Sequence, residues 1–145
     1  MDLDGVYDLD NIFAKIIRGE IPCAKVWEDA HTLAFLDAFP QGPGHTLVVH
    51  KRSTARNLLD VEPVDLAAVI ATVQRVTRAV RGALTPDGVT VMQLNGAAAG
   101  QTIYHLHFHI IPRWLGQPLG RHAEGVSDPN ERSELARRIA AHVAP

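Results

Sequence analysis

The sequence predicts an α+β domain built on an antiparallel sheet, and three observations carry that prediction. Apolar residues from Pro63 to Arg81 recur at the spacing of one long helix. Short segments rich in β-branched or alternating residues lie before and after it. The segment His105-Leu106-His107-Phe108-His109 places histidine at every second position, as one face of a strand does. The resulting order is short helix, strands, long helix, strands.

Each element has a local reason. Asp10 is placed to cap a short helix carrying Ile12, Phe13, Ile16 and Ile17, with Gly19 as its stop. Strands follow around Lys25–Glu28 and Thr32–Leu36, joined by a turn at Asp29-Ala30. Asp37–Gly44 holds two prolines and two glycines and reads as a loop. His45–His50 reads as a central strand. Pro63 suits the first helical position, and Leu66, Val69, Ile70, Val73, Val76 and Val80 form its stripe. Arg75, Arg78 and Arg81 lie near its C-terminal end, where the dipole favours cations, and Gly82 can end it. A phosphate-binding face and a solvated helix end both fit that arginine row, and the second is favoured.

Val89–Leu94 is the next strand and Thr102–Ile111 the histidine strand, ended by Pro112. Trp114–Val126 reads as irregular. Asp128-Pro129-Asn130-Glu131 opens a last helix to about Val143. Its stripe (Leu135, Ile139, Val143) is thin, which places it on the surface or on a partner.

The 145 residues suit a single domain, long enough to bury a core without disulfides or metals. The formal net charge of −2 gives no basis for bulk binding to nucleic acid or to an anionic membrane. Cys23 is the only cysteine, so no intramolecular disulfide is possible and a reducing, cytoplasmic setting is expected. The acidic start Met1-Asp2-Leu3-Asp4 does not read as a signal peptide, and no apolar run is long enough to cross a bilayer.

Three same-face histidines point to chemistry. Burying them for structure alone demands a partner for every ring nitrogen. An imidazole can attack phosphorus or a carbonyl when its attacking nitrogen is neutral and an acceptor holds the other. The middle one, His107, is best placed, flanked by His105 and His109. The small-residue run Asn95–Thr102 could let backbone N–H groups approach an anion, with Gln101 and Thr102 adding side-chain donors. A zinc site is the competing reading, with His45, His50 or Asp37 as further ligands. Spacing alone leaves the two equal. Ile12, Phe13, Ile16 and Phe35 fit a core on pattern, although an apolar base slot uses the same residue types. His31, His122 and His142 are expected at the surface.

The segment His105–Ile111 resembles in full the motif His-φ-His-φ-His-φ-φ (φ apolar) of the histidine triad (HIT) family. Ile12–Pro22 and Ala34–Val49 resemble two further blocks of that family in the right order. The resemblance implies one HIT domain over residues 1–145, with a core at about 11–113 and a tail and helix at 114–145. It implies a five-stranded antiparallel sheet with one long helix and short flanking helices, usually in a homodimer. It also implies a nucleotide substrate, commonly a purine nucleotide, attacked at its α-phosphorus by His107 to form a nucleotidyl-histidine that water then cleaves. His105, His109 and His45 correspond to the other site histidines, and Asp37 to a ribose-binding acid. Ile12, Phe13, Ile16 and Phe35 correspond to base and ribose contacts, and Gly100, Gln101 and Thr102 to the phosphate loop. Within that loop a hydroxyl can assist the leaving group.

The chain departs from the family pattern at several places. Where many relatives carry the Cys-x-x-Cys of a structural zinc site it has Asn11 and Ala14, and Ser53 replaces a histidine. No metal and no cofactor are expected. His50 stands where proline is usual, and Leu94 where a phosphate-binding asparagine is usual, with Asn95, one residue later, as a candidate nucleotide-binding residue. His109 rather than glutamine argues for hydrolysis over nucleotidyl transfer. The short form resembles Hint-like phosphoramidases, with dinucleoside polyphosphate hydrolysis, a binding-only regulatory protein and a metal-dependent hydrolase as alternatives.

Overall fold

Strand pairing organises the chain. The structure, a computed structural model, describes Leu3 and residues 5–120 and 125–145. The positions of Met1, Asp2, Asp4 and His122 lie outside the described residues. Five strands, β1 (Lys25–Glu28), β2 (Thr32–Leu36), β3 (Thr46–His50), β4 (Gly88–Met92) and β5 (His107–Arg113), form one sheet in the order β1-β2-β3-β5-β4. Every neighbouring pair is antiparallel. Three helices accompany it: α1 (Ile12–Ile17), α2 (Pro63–Leu84) and α3 (Pro129–Ala140). This is the α+β arrangement the sequence predicts.

The central strands β2, β3 and β5 are buried on both faces. On one, Ala34, Val48, Leu106, Phe108 and Ile110 pack with Val69, Val73, Val76 and Val80 of α2. Fully burying each such valine contributes roughly 1.5–3 kcal/mol. On the other, Phe13 of α1 packs over Leu33, Phe35, Leu47 and Val49. Register carries that second face to the histidines: Phe35 pairs with Leu47, Leu47 with His109, and Met92 with His109.

Several expected boundaries move. The cap of α1 is Asn11, whose Oδ1 accepts from Ala14 N–H at 2.9 Å, while Asp10 pairs with Arg18. Helix α2 passes Gly82 and ends at Thr85, in the left-handed region (φ +47°). Gly82 is instead a point of close approach: a Cβ there would lie 3.0 Å from the His142 ring. Strand β5 begins at His107, because Leu106 N–H already donates to the Ala55 carbonyl. It continues through Pro112 to Arg113. Strand β3 pairs only as far as Ile110, so the missing proline N–H costs no β3 rung.

Helix α3 ends at Ala140 and lies at the surface, as expected, with one face turned into the core. Ala136 and Ile139 are buried in the core, and the helix packs on β1 and α2. Its cap is the expected one, Asp128 accepting from Glu131 N–H. Arg75 serves the fold: its guanidinium lies 4.6 Å from the centre of the Trp27 ring and donates to the Ala144 carbonyl. Among the described residues no helix is long and apolar enough to cross a membrane.

Candidate active site

The alternation of the histidine segment survives the late start of β5. The Phe13 ring lies 4.8 Å from that of His107 and 6.1 Å from that of His105, and the His107 and His109 rings are 4.9 Å apart. All three imidazoles therefore lie on the α1 side, while Leu106, Phe108 and Ile110 enter the core opposite. All three are buried.

Fixed hydrogen-bond partners set the ring tautomers. His107 Nδ1 lies 2.7 Å from the carbonyl oxygen of His105, which can only accept, so Nδ1 carries the proton and the lone pair falls on Nε2. His105 Nε2 faces the His50 carbonyl at 3.4 Å, and its Nδ1 meets the Tyr7 hydroxyl at 2.7 Å. Burial pulls the His105 pKa down to about 4, with the His50 carbonyl opposing and the His107 ring adding to the fall, so the ring is neutral near pH 7.

His45 continues this arrangement from β3's approach. Its Nδ1 accepts the Gln41 backbone N–H at 3.0 Å, so its proton sits on Nε2, which lies 2.9 Å from His109 Nδ1. His109 consequently carries its own proton on Nε2. Asp37, buried at the end of β2, accepts from Phe39 N–H and lies 3.7 Å from His45 Nε2.

Asp37, His45 and His109 offer ligand atoms within 4.8 Å of one another, close enough for a metal ion. The hydrogen bonding opposes that use. A ligating histidine needs an acceptor for its other nitrogen, whereas His45 Nδ1 faces an N–H donor. The positions of the family's structural zinc do not fit an ion either. Asn11 Oδ1 is occupied by Ala14 N–H, Ala14 has no donor atom, and Ser53 Oγ accepts from Ala55 N–H.

A cavity of ≈ 360 Å³ opens on the histidine face. Ile12, Phe13, Ile16 and Phe35 line its apolar part, and Asp37, Gly100, Thr102, His107 and His109 also reach it. His45 and His105 stand behind this lining and orient it. Two expected contacts are not brought to the cavity. The Gln101 side chain is buried and spent on the protein: Oε1 accepts from Gly96 N–H and Asn57, and Nε2 donates to the carbonyls of Arg56 and Ile103. Asn95 Oδ1 accepts from Leu58 N–H and Gln93, and Leu94 lines the cavity in its place. The one-residue offset turns the asparagine away.

The small-residue loop is also less open to an anion than its composition suggests. The N–H groups of Gly96, Ala99, Gly100 and Gln101 all donate within the loop. Its shape rests on left-handed glycines, with φ +88° at Gly96 and +101° at Gly100.

Sequence reasoning missed Met92, Phe39, Gln41 and Arg132 in the lining. Strand alternation through Val89–Leu94 would have paired Met92 with Leu94. Nothing local marks Arg132, which α3 brings in from the far end of the chain through Ser127 N–H bonded to the Ala38 carbonyl. His50 gains an account: its Nδ1 accepts the N–H groups of Arg52 and Ser53, and its Nε2 lies 3.3 Å from Asp65. It clips the turn leaving β3 to the start of α2. Burial lowers its pKa, against the pull of Asp65.

Comparison with known proteins agrees with this fold. The HIT domain family model matches residues 18–114. A Hit-like protein from Bartonella henselae, described as involved in cell-cycle regulation and crystallised with an unknown ligand, is 48% identical. It superposes with a TM-score of 0.91 over 96% of this chain and 100% of that one. An adenosine 5′-monophosphoramidase of Schizosaccharomyces pombe is 41% identical over 70% of this chain and 73% of its own length. An adenylylsulfatase of Arabidopsis thaliana is 37% identical over 92% of this chain and 70% of its own.

Proposed function

The chain belongs to the HIT domain family, and from that premise we propose that it is a nucleotide hydrolase cleaving nucleoside phosphoramidates or related nucleotidyl compounds at the α-phosphorus. The observation that carries this reading is the 2.7 Å contact of His107 Nδ1 with the His105 carbonyl, which puts the lone pair on Nε2 of a ring that lines the cavity. A neutral, pre-oriented imidazole is what nucleophilic attack requires. The named activities of the yeast and plant relatives support the same class of substrate.

In the proposed reaction the purine base lies among Ile12, Phe13, Ile16 and Phe35, and Asp37 accepts from the ribose hydroxyls. His107 Nε2 bonds to the α-phosphorus as the P–N or P–O bond opposite it breaks. The leaving group departs with that electron pair and takes a proton from solvent across the Thr102 hydroxyl. His109, its Nε2–H set by His45, stabilises the phosphoryl oxygens. Water then attacks phosphorus and gives up a proton to solvent, the P–Nε2 pair returns to the imidazole, and the nucleoside monophosphate leaves.

We also propose a cytoplasmic homodimer. Support for the dimer is strand β4, which ends the sheet and exposes Val91; support for the cytoplasmic setting is the single cysteine, Cys23. Light scattering at micromolar concentration reads the dimer directly. For the reaction, the test is rapid quenching with an adenosine phosphoramidate followed by mass spectrometry. A nucleotidyl adduct on His107 is the expected result. Bound nucleotide without adduct or product would instead mark a binding protein.

A further inference from the structure

Tyr7 lies outside the expected core of the domain, in a segment to which no role is assigned from sequence. The structure sets Leu3, Gly5 and Tyr7 against the loops and the histidine that frame the site. Leu3 packs over Gly96, where an added Cβ would lie 3.0 Å from its side chain. The Gly5 carbonyl accepts from Arg56. Tyr7 then sets its hydroxyl 2.7 Å from His105 Nδ1, with the two rings 5.6 Å apart.

The direction of this bond follows from the other side of the ring. His105 Nε2 faces a carbonyl and carries the proton, so Nδ1 is an acceptor and the Tyr7 hydroxyl donates. His105 is thus pinned on both ring nitrogens, one from the N-terminal segment and one from β3. Its own carbonyl is the acceptor that fixes the His107 tautomer. One residue therefore joins the tyrosine to the reacting imidazole.

We propose that Tyr7 is a positioning residue for the reaction: its hydroxyl locks His105, and the locked His105 holds His107 with Nε2 ready to attack. The kinetic part of this proposal rests on the hydrolase reading above, and the structural part does not. Tyr7 does not line the cavity, so its removal is expected to act on turnover rather than on affinity. Tyr7→Phe keeps the ring and its packing and removes only the donor. The buried Nδ1 of His105 then lacks its partner, and other tautomers and ring positions become populated.

The test combines ring ¹⁵N spectra and steady-state kinetics on the full chain. In the wild type, the His105 resonances are expected to show Nε2 protonated and Nδ1 accepting. In Tyr7→Phe they are expected to move toward averaged values, with kcat down about five- to tenfold and KM within about twofold. A thermal melt confirms that the variant is folded. Wild-type spectra with the His105 proton on Nδ1 overturn the proposal without recourse to the variant. Unchanged spectra in Tyr7→Phe overturn it too, as does a wild-type kcat in that variant. If the wild type turns over no nucleotide, the hydrolase reading fails alone, and the ¹⁵N comparison still decides whether Tyr7 locks the ring.

Discussion

His45 Nε2 stands 2.9 Å from His109 Nδ1, and a backbone amide sets the direction of that hydrogen bond by occupying the other nitrogen of His45. His45→Ala removes the donor that faces His109 Nδ1. Turnover is expected to fall roughly tenfold or more, in keeping with a lost buried hydrogen bond. His45→Gln, which can still donate through its amide, is expected to recover part of it. Equal kcat values for wild type and His45→Ala would contradict the orienting role.

The same amide makes a test of metal dependence decisive. With an N–H facing Nδ1, His45 cannot ligate a metal through Nε2 without placing two protons against each other. Prolonged treatment with a strong chelator is therefore expected to leave kcat and KM unchanged. Loss of activity restored by zinc would reverse this conclusion.

His107→Ala is expected to abolish turnover and leave the fold intact. The cavity around Phe13 and Phe35 persists, so nucleoside monophosphate should bind within several-fold of wild-type affinity by calorimetry. Residual activity near the wild-type rate would remove His107 as nucleophile.

Gln101 is expected to behave as a structural residue. Its amide satisfies four groups, two of them on the loop from Arg56 to Asn57 and the others at Gly96 and Ile103. Gln101→Ala leaves buried donors and acceptors unmatched, at a cost of about 1–3 kcal/mol for each group that water cannot reach. A melting temperature within a degree of wild type would argue against this role.

The low pKa of His105 predicts a pH dependence of stability. The folded ring titrates at about 4, below the unfolded value near 6.5, so between them the unfolded chain binds the extra proton. The contribution is complete above about pH 6.5 and is lost as pH falls toward 4, a change of the order of 3 kcal/mol. Urea melts at pH 7 and pH 5 should show a smaller loss in His105→Gln than in wild type. Parallel losses in the two proteins would contradict the assignment.

Much of this architecture was legible before any coordinates. Val69, Val73, Val76 and Val80 announce α2 because helical spacing depends on local geometry alone. His105, His107 and His109 share a face because strand alternation does too, even with His105 outside the ladder. What stayed hidden depends on contacts between distant segments. Gln101 has the chemistry of a phosphate ligand, and only the approach of Arg56 and Asn57 turns it inward. Gly82 looks like a helix stop until His142 is seen to pack against it. Tyr7 and Arg132 reach the site from the two ends of the chain, where no nearby pattern reports on them.

Arg132 gives that last point a temporal meaning. Its helix follows every other wall of the cavity in the sequence and also seats Ala136 and Ile139 in the core. A nascent chain emerging from the ribosome therefore carries all the site's imidazoles before the residue of this last wall has been added. Premature termination before Pro129 would yield a polypeptide that still carries the whole triad yet lacks both a finished cavity and the buttress that steadies β1.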